Sequence, residues 1–180
     1  MSDYPRWIYH PRSETPPDWA SNVASVFQDQ RTRLDTTAVH NKSDVALSII
    51  RPGLEELGFR VEGGVDEPTI YRPVHFGECG APDRQYHIDS YHPELRVGLE
   101  VEAGRSIRGN AIYRDIIQAS LIVDLDYFVL AIPQRYRFSL KGKQKEQEDR
   151  PFEYGLTVLD AIYSSGRFRL PLKGMLFVGF

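Results

Sequence analysis

The stretch that most limits what this chain can become is Tyr127-Phe-Val-Leu-Ala-Ile, a run interrupted by no charge and no side-chain amide. A strand sends successive side chains to opposite faces, so a run without apolar–polar alternation has to bury both faces. Such a strand requires a sheet around it and packed layers above and below. The closing run Gly174-Met-Leu-Phe-Val-Gly-Phe reads as a second strand of the same kind.

The layers are legible as helices. Pro16-Pro-Asp-Trp opens an amphipathic stretch to about Leu34, with Trp19, Val23, Val26, Phe27 and Leu34 at helical spacing. This stripe reads first as a core face and second as a dimer contact. Ser43 stands as an N-cap before Leu47, Ile50, Leu54 and Leu57, with a kink or break expected at Pro52-Gly53 and a stop at Gly58. Asn110 is expected to cap a helix running to Val123, and Leu156 to Tyr163 reads as a further helix. Residues 1–18 look like an extended arm, 63–85 like a long loop with a short strand near Ile70, and 141–150 like a solvated charge run. Strand–strand–helix–strand order points to an α/β sandwich with a mixed sheet.

Composition sets outer limits. At 180 residues the chain has length for one domain, with residues 1–42 as an N-terminal arm and helix and 43–180 as the core. Cys79 is alone, so neither an internal disulfide nor a Cys-rich zinc site can form. No apolar run approaches bilayer length and the start, Met-Ser-Asp-Tyr-Pro-Arg, is not a secretory leader, so a cytoplasmic protein with no membrane partner is expected. A formal net charge of −3 weakly disfavours a surface coated for nucleic acid, although charge placement outweighs the sum. Positive residues gather at Arg105, Arg108 and Arg114, and again at Arg135, Arg137, Lys141, Lys143 and Lys145.

Chemistry concentrates in Val97-Gly-Leu-Glu-Val-Glu-Ala. Residues two apart on a strand share a face, so Glu100 and Glu102 project together while Leu99 and Val101 pack behind. Upstream, His87-Ile-Asp-Ser-Tyr adds Asp89 in a second strand-like run. If the two runs are neighbours, three carboxylates converge, and like charges at close range raise one another's pKa. A cation that prefers oxygen, Mg²⁺ or Mn²⁺, relieves that repulsion. The plain alternative is an edge strand with a solvated acidic face. His87 and His92 bracket Asp89 and read as structural or exposed more readily than as acid or ligand. There is no Ser/His/Asp logic, phosphate-cradling Gly loop or dinucleotide fingerprint.

The string Ile88-Asp-Ser-Tyr, then Arg96-Val-Gly-Leu-Glu-Val-Glu-Ala-Gly, then a helix and the strand ending Leu130-Ala-Ile-Pro resembles the PD-(D/E)xK nuclease superfamily. Within it, the Glu-x-Glu resembles the BamHI/BglII-like branch of type II restriction enzymes, over roughly residues 43–180. The resemblance implies a restriction-endonuclease-like sandwich, a central mixed β-sheet flanked by helices. Asp89 and Glu100 would bind the metal, Glu102 would be general base or third ligand, and Glu62 would match a further acidic position. The sequence departs from the pattern in carrying Ile88 where a Pro precedes the first Asp. It also has no Lys in the last motif, so Arg105 or Arg108 would supplement the metal's charge. Arg105, Arg108 and Asn110 are candidates for contact with phosphates or bases. The implied function is Mg²⁺-dependent cleavage of double-stranded DNA by a homodimer, with restriction as the leading role. The alternatives are a non-catalytic nucleic-acid-binding or assembly module of the same fold, and an RNA-directed nuclease.

Overall fold

In the computed structural model, which describes residues 4–63, 69–103, 110–138 and 147–180, Phe128 through Ile132 are completely buried. They belong to β7 (Tyr127–Ile132), a strand inside a six-stranded sheet. Its parallel neighbours are β6 (Val97–Val101) and β10 (Gly174–Gly179). Beyond β6 come β5 (Ser90–His92) and β2 (Arg60–Val61), each antiparallel to the strand before it. Beyond β10 lies β1 (Arg6–His10), also antiparallel. The sheet is therefore mixed, in the order β1-β10-β7-β6-β5-β2.

Alternation along β7 feeds two cores. Val129 and Ala131 join α1 (Asp18–Asp29), α2 (Arg31–Leu34) and α3 (Ser43–Glu56) through Val23, Phe27, Leu34, Leu47 and Ile50. Phe128, Leu130 and Ile132 face α4 (Ala111–Leu121) and α5 (Pro151–Ser165) through Ile112, Ile116, Val158 and Leu159. Each of these large side chains contributes on the order of 1.5–3 kcal/mol by leaving water. No described helix is long and apolar enough to cross a membrane.

Several expectations are corrected. The segment expected as an arm supplies β1, whose Trp7 and Tyr9 alternate onto the α1 side of the sheet. The helix expected to reach Leu34 breaks at Gln30 (φ −97°, ψ 15°), and the short α2 that follows turns Leu34 fully into the core. Conversely, α3 runs through Pro52 without a break. Proline leaves the Ser48 carbonyl without its helical donor, but position 48 is exposed, where solvent can serve the carbonyl instead. Gly53 is where α1 crosses closely, since a Cβ there would lie 2.8 Å from Val26 Cγ1. Gly58 does end the helix, with φ +92°.

Much of the stretch expected to be a loop is an antiparallel hairpin outside the main sheet, β3 (Tyr71–Phe76) and β4 (Pro82–His87), joined through a 3₁₀ turn at Glu78–Gly80. A second small ribbon pairs β8 (Tyr136–Phe138) with β9 (Gln147–Asp149), in the charged stretch before α5. The α5 helix itself is longer than its apolar spacing indicates. Arg105, Arg108, Lys141, Lys143 and Lys145 lie outside the described residues.

Candidate functional site

Strand register assembles the acids. Ser90 pairs with Leu99 and with Val61, so one further step sets Asp89 beside Glu100 on one side and Glu62 on the other. The Glu62 N–H donates to the Asp89 carbonyl at 3.0 Å, extending the ladder to that step. Glu62 and Asp89, one step beyond the ends of β2 and β5, thus form a row with Glu100 of β6, the three neighbouring segments lying about 4.8 Å apart. Leu99 and Val101 are buried on the α3 side, so Glu100 and Glu102 face α4 as the alternation requires.

Asp89 is not inside a strand, as its apolar flank suggested, but in the bend between β4 and β5. Its Oδ2 accepts the Val101 N–H at 2.8 Å, which fixes the carboxylate over β6. The β6 strand is itself anchored at its end, where Ser43 Oγ accepts the Ala103 N–H at 2.9 Å. Ser43 is therefore the first residue of α3 rather than its cap, and its hydroxyl serves the neighbouring strand.

Two residues join the row that the motif did not assign to it. His87 Nε2 lies 2.6 Å from Glu62 Oε2, and ligand atoms of Glu62, His87 and Asp89 all fall within 4.8 Å of one another. Asp115, on α4, is only 6% exposed and accepts a hydrogen bond from Arg114 Nε at 2.9 Å. Its signal was present: Ile112, Asp115, Ile116 and Ala119 follow i, i+3, i+4, i+7, so an acid sits on the buried stripe of its helix. Arg114 also reaches Glu102 at 3.5 Å. Arg51 donates to the Glu62 carbonyl at 2.8 Å, so among the described residues guanidinium charge meets the cluster through Arg51 and Arg114.

The electrostatics follow from burial. Asp89 is pushed up to about 6, first by desolvation, with the Val101 N–H pulling the other way and Glu62 adding repulsion. Desolvation also holds Glu100 well above the ordinary carboxylate range, reinforced by Asp89 and Asp115. Asp115 is raised by burial against the opposing pull of Arg114. Carboxylates held so reluctantly in the charged form gain from a cation.

The remaining sequence candidates separate clearly. Asn110 occupies the N-cap position of α4 in the left-handed region (φ +59°), exposed and with no side-chain capping bond, which corrects its expected capping role. His92 is buried, accepts the Leu95 N–H at 3.2 Å and packs edge-on against Phe59, a structural role. Cys79 is exposed and free. Comparison with protein families, with curated proteins and with solved structures finds no match to the chain.

The donor set suits a hard divalent cation: carboxylate oxygens dominate, and one imidazole nitrogen extends the choice toward Mn²⁺. Glu62, His87 and Asp89, whose ligand atoms converge, are the residues that would hold it, with Glu100 in contact with Asp89 beside them.

Proposed function

We propose that the chain is a Mg²⁺-dependent endonuclease that hydrolyses phosphodiester bonds in double-stranded DNA, working as a homodimer with a restriction-endonuclease-like core. The observation that carries this reading is the cross-strand row of Glu62, Asp89 and Glu100. The order Asp89, Glu-x-Glu, α4 and the buried β7 supports it too, being the order on which the resemblance to PD-(D/E)xK nucleases rests.

Bound there, a divalent cation supplies positive charge to the phosphoryl oxygens and lowers the pKa of water. The chain's own residues do the positioning. The Val101 N–H aims Asp89, and His87 holds the outer oxygen of Glu62. Glu102, half-buried and 3.5 Å from Arg114, would accept the proton of the attacking water. Two copies related by a two-fold axis would present one such site to each DNA strand.

Cleavage of supercoiled and linear duplex DNA with Mg²⁺, Mn²⁺ or EDTA tests the reading, beside Asp89→Asn and Glu100→Gln verified as folded. Cation-dependent cutting should fall at least ~100-fold in both variants, the scale on which removing an acid–base or charge-stabilising group acts. Full cutting by either variant would refute the assignment. Duplex binding without turnover under any cation would favour the non-catalytic module instead, and turnover of RNA alone the RNA-directed enzyme.

A further inference from the structure

A polar cavity of about 300 Å³ lies where β1, the end of β7 and the start of α5 meet. Four guanidinium groups (Arg6, Arg31, Arg135 and Arg150) and two carboxylates (Asp35 and Glu153) line it, a local surplus of positive charge in a chain of net charge −3. We infer that this cavity binds a phosphate group, and that the phosphate belongs to the nucleic-acid strand held at the acidic row.

The arginines are only partly neutralised. Arg6 meets Glu153 at 2.6 Å and Arg31 meets Asp35 at 3.4 Å. Arg135 shares the single carboxylate of Glu148 with Arg137, at 3.4 and 3.2 Å. The Arg150 guanidinium has no hydrogen bond or ion pair among the described residues, and the residue occupies the N-cap position of the fifteen-residue α5. The positive end of that helix adds to the field of the guanidinium groups. Planar forks of N–H donors around a cavity this size match tetrahedral oxyanions better than they match any neutral ligand.

Position links the cavity to the acids. Strands β6, β7 and β10 run parallel and finish at one end of the sheet, where Glu100 lies level with Leu130 and Phe177. Arg6 pairs with Gly179 at that same end, and the Gln134 N–H donates to the Phe180 carbonyl. From β6, the row's nearest strand, to β10 and β1 is two or three strand steps, about 10–14 Å. Along a nucleic-acid strand that is about three or four nucleotides at the 3.4 Å rise of the duplex. A strand with one phosphate at the acidic row therefore reaches the cavity with another. The strand's identity rests on the nuclease reading, whereas the preference for phosphate rests on the cavity's own charge.

The test measures binding without turnover. Anisotropy of a fluorescein-labelled duplex is titrated in EDTA at several salt concentrations, with Arg135→Glu, Arg150→Glu and the milder Arg150→Gln. Arg12→Glu is the control, since Arg12 pairs with Asp160 at the opposite end of β1. Each cavity variant should weaken binding about tenfold and flatten the salt slope by about one unit, while the control changes neither. Inorganic phosphate and AMP are then offered as competitors. Duplex affinity unchanged in all three cavity variants overturns the inference. So does loss of phosphate and AMP binding with duplex affinity intact, because the cavity then serves a free phosphorylated molecule. Weakened duplex binding in a chain that never cleaves leaves the cavity standing and removes the nuclease reading alone.

Discussion

Asp89 Oδ2 accepts the backbone N–H of Val101 at 2.8 Å, tying the bend before β5 to the strand that carries both glutamates. The bond favours the charged carboxylate, yet burial outweighs it and leaves Asp89 pushed up to about 6. The acidic row is thus assembled at a cost to the folded protein.

That cost has a sign. The folded pKa of about 6 lies above the ordinary 3.8, so the folded chain holds this proton more tightly than the unfolded one. The resulting stability is fully present below pH ~4 and lost as pH rises through ~6. Asn at position 89 keeps an acceptor for Val101 without the charge. In EDTA, Asp89→Asn should exceed the natural chain by ~1–3 kcal/mol at pH 8, with the difference closing at pH 4. Urea denaturation at both pH values reads this directly. A variant less stable than the natural chain at pH 8 would mean that the buried charge is compensated within the fold.

A cation should reverse the same cost. A ligand that binds only the folded state at a hundred times its Kd adds ~2.7 kcal/mol. Mg²⁺ or Mn²⁺ should raise the Tm of the natural chain, and more at pH 7.5 than at pH 5.5 because binding displaces protons. Asp89→Asn and Glu100→Gln should lose the shift. Glu102→Gln should retain most of it, since Glu102 pairs with Arg114 whereas Glu100 contacts Asp89, a member of the Glu62–His87–Asp89 group, directly. Equal shifts in all three variants would place the cation elsewhere.

How far the sequence was readable depends on which force decided each element. The two-sided burial of Tyr127–Ile132, the alternation at Glu100 and Glu102 and the stop at Gly58 are local, and the structure carries all of them. The β3–β4 hairpin escaped because it is mostly exposed and only Tyr86 of it packs against a core, so its residues show no apolar period and include Pro73 and Pro82. β1 was hidden because an edge strand of five residues resembles an arm until β10 is there to pair with it. Asp115 was readable but unread: a lone acid on a buried helical stripe needs a partner, and the neighbouring Arg114 guanidinium provides one.

Arg114 tests that pairing. Its Nε holds Asp115, whose side chain is 6% exposed, while the arginine itself is largely in solvent. Arg114→Met should leave a buried carboxylate without its donor and cost ~1–3 kcal/mol. Adding Asp115→Asn should recover most of that, a coupling measurable by a double-mutant cycle in urea. Because burial already raises Asp115, the single variant's deficit should shrink as pH falls and the acid is neutralised. Strict additivity would show that the two side chains do not depend on one another.

The acidic row also depends on a residue with no side chain. Gly98 lies on β6 on the same face as Glu100, and a Cβ there would collide with Ile88 Cδ1 and come within 2.8 Å of Leu125 Cδ2. Ile88 and Leu125 are both buried, so neither can swing into solvent. Overpacking of this kind costs ~1–3 kcal/mol. Ile88 directly precedes Asp89, so a backbone shift of Ile88 that relieves the clash would also move the carboxylate away from the Val101 N–H. Gly98→Ala should therefore lower the urea midpoint and also weaken the cation-dependent rise in Tm. Leu125→Ala, a variant that opens a cavity on the same face without displacing Ile88, should lower stability while keeping the cation response. Gly98→Ala combined with Ile88→Val, which removes the clashing methyl, should regain both. If Gly98→Ala loses stability but responds to Mg²⁺ and Mn²⁺ as fully as Leu125→Ala does, packing beneath the strand does not set the position of Asp89.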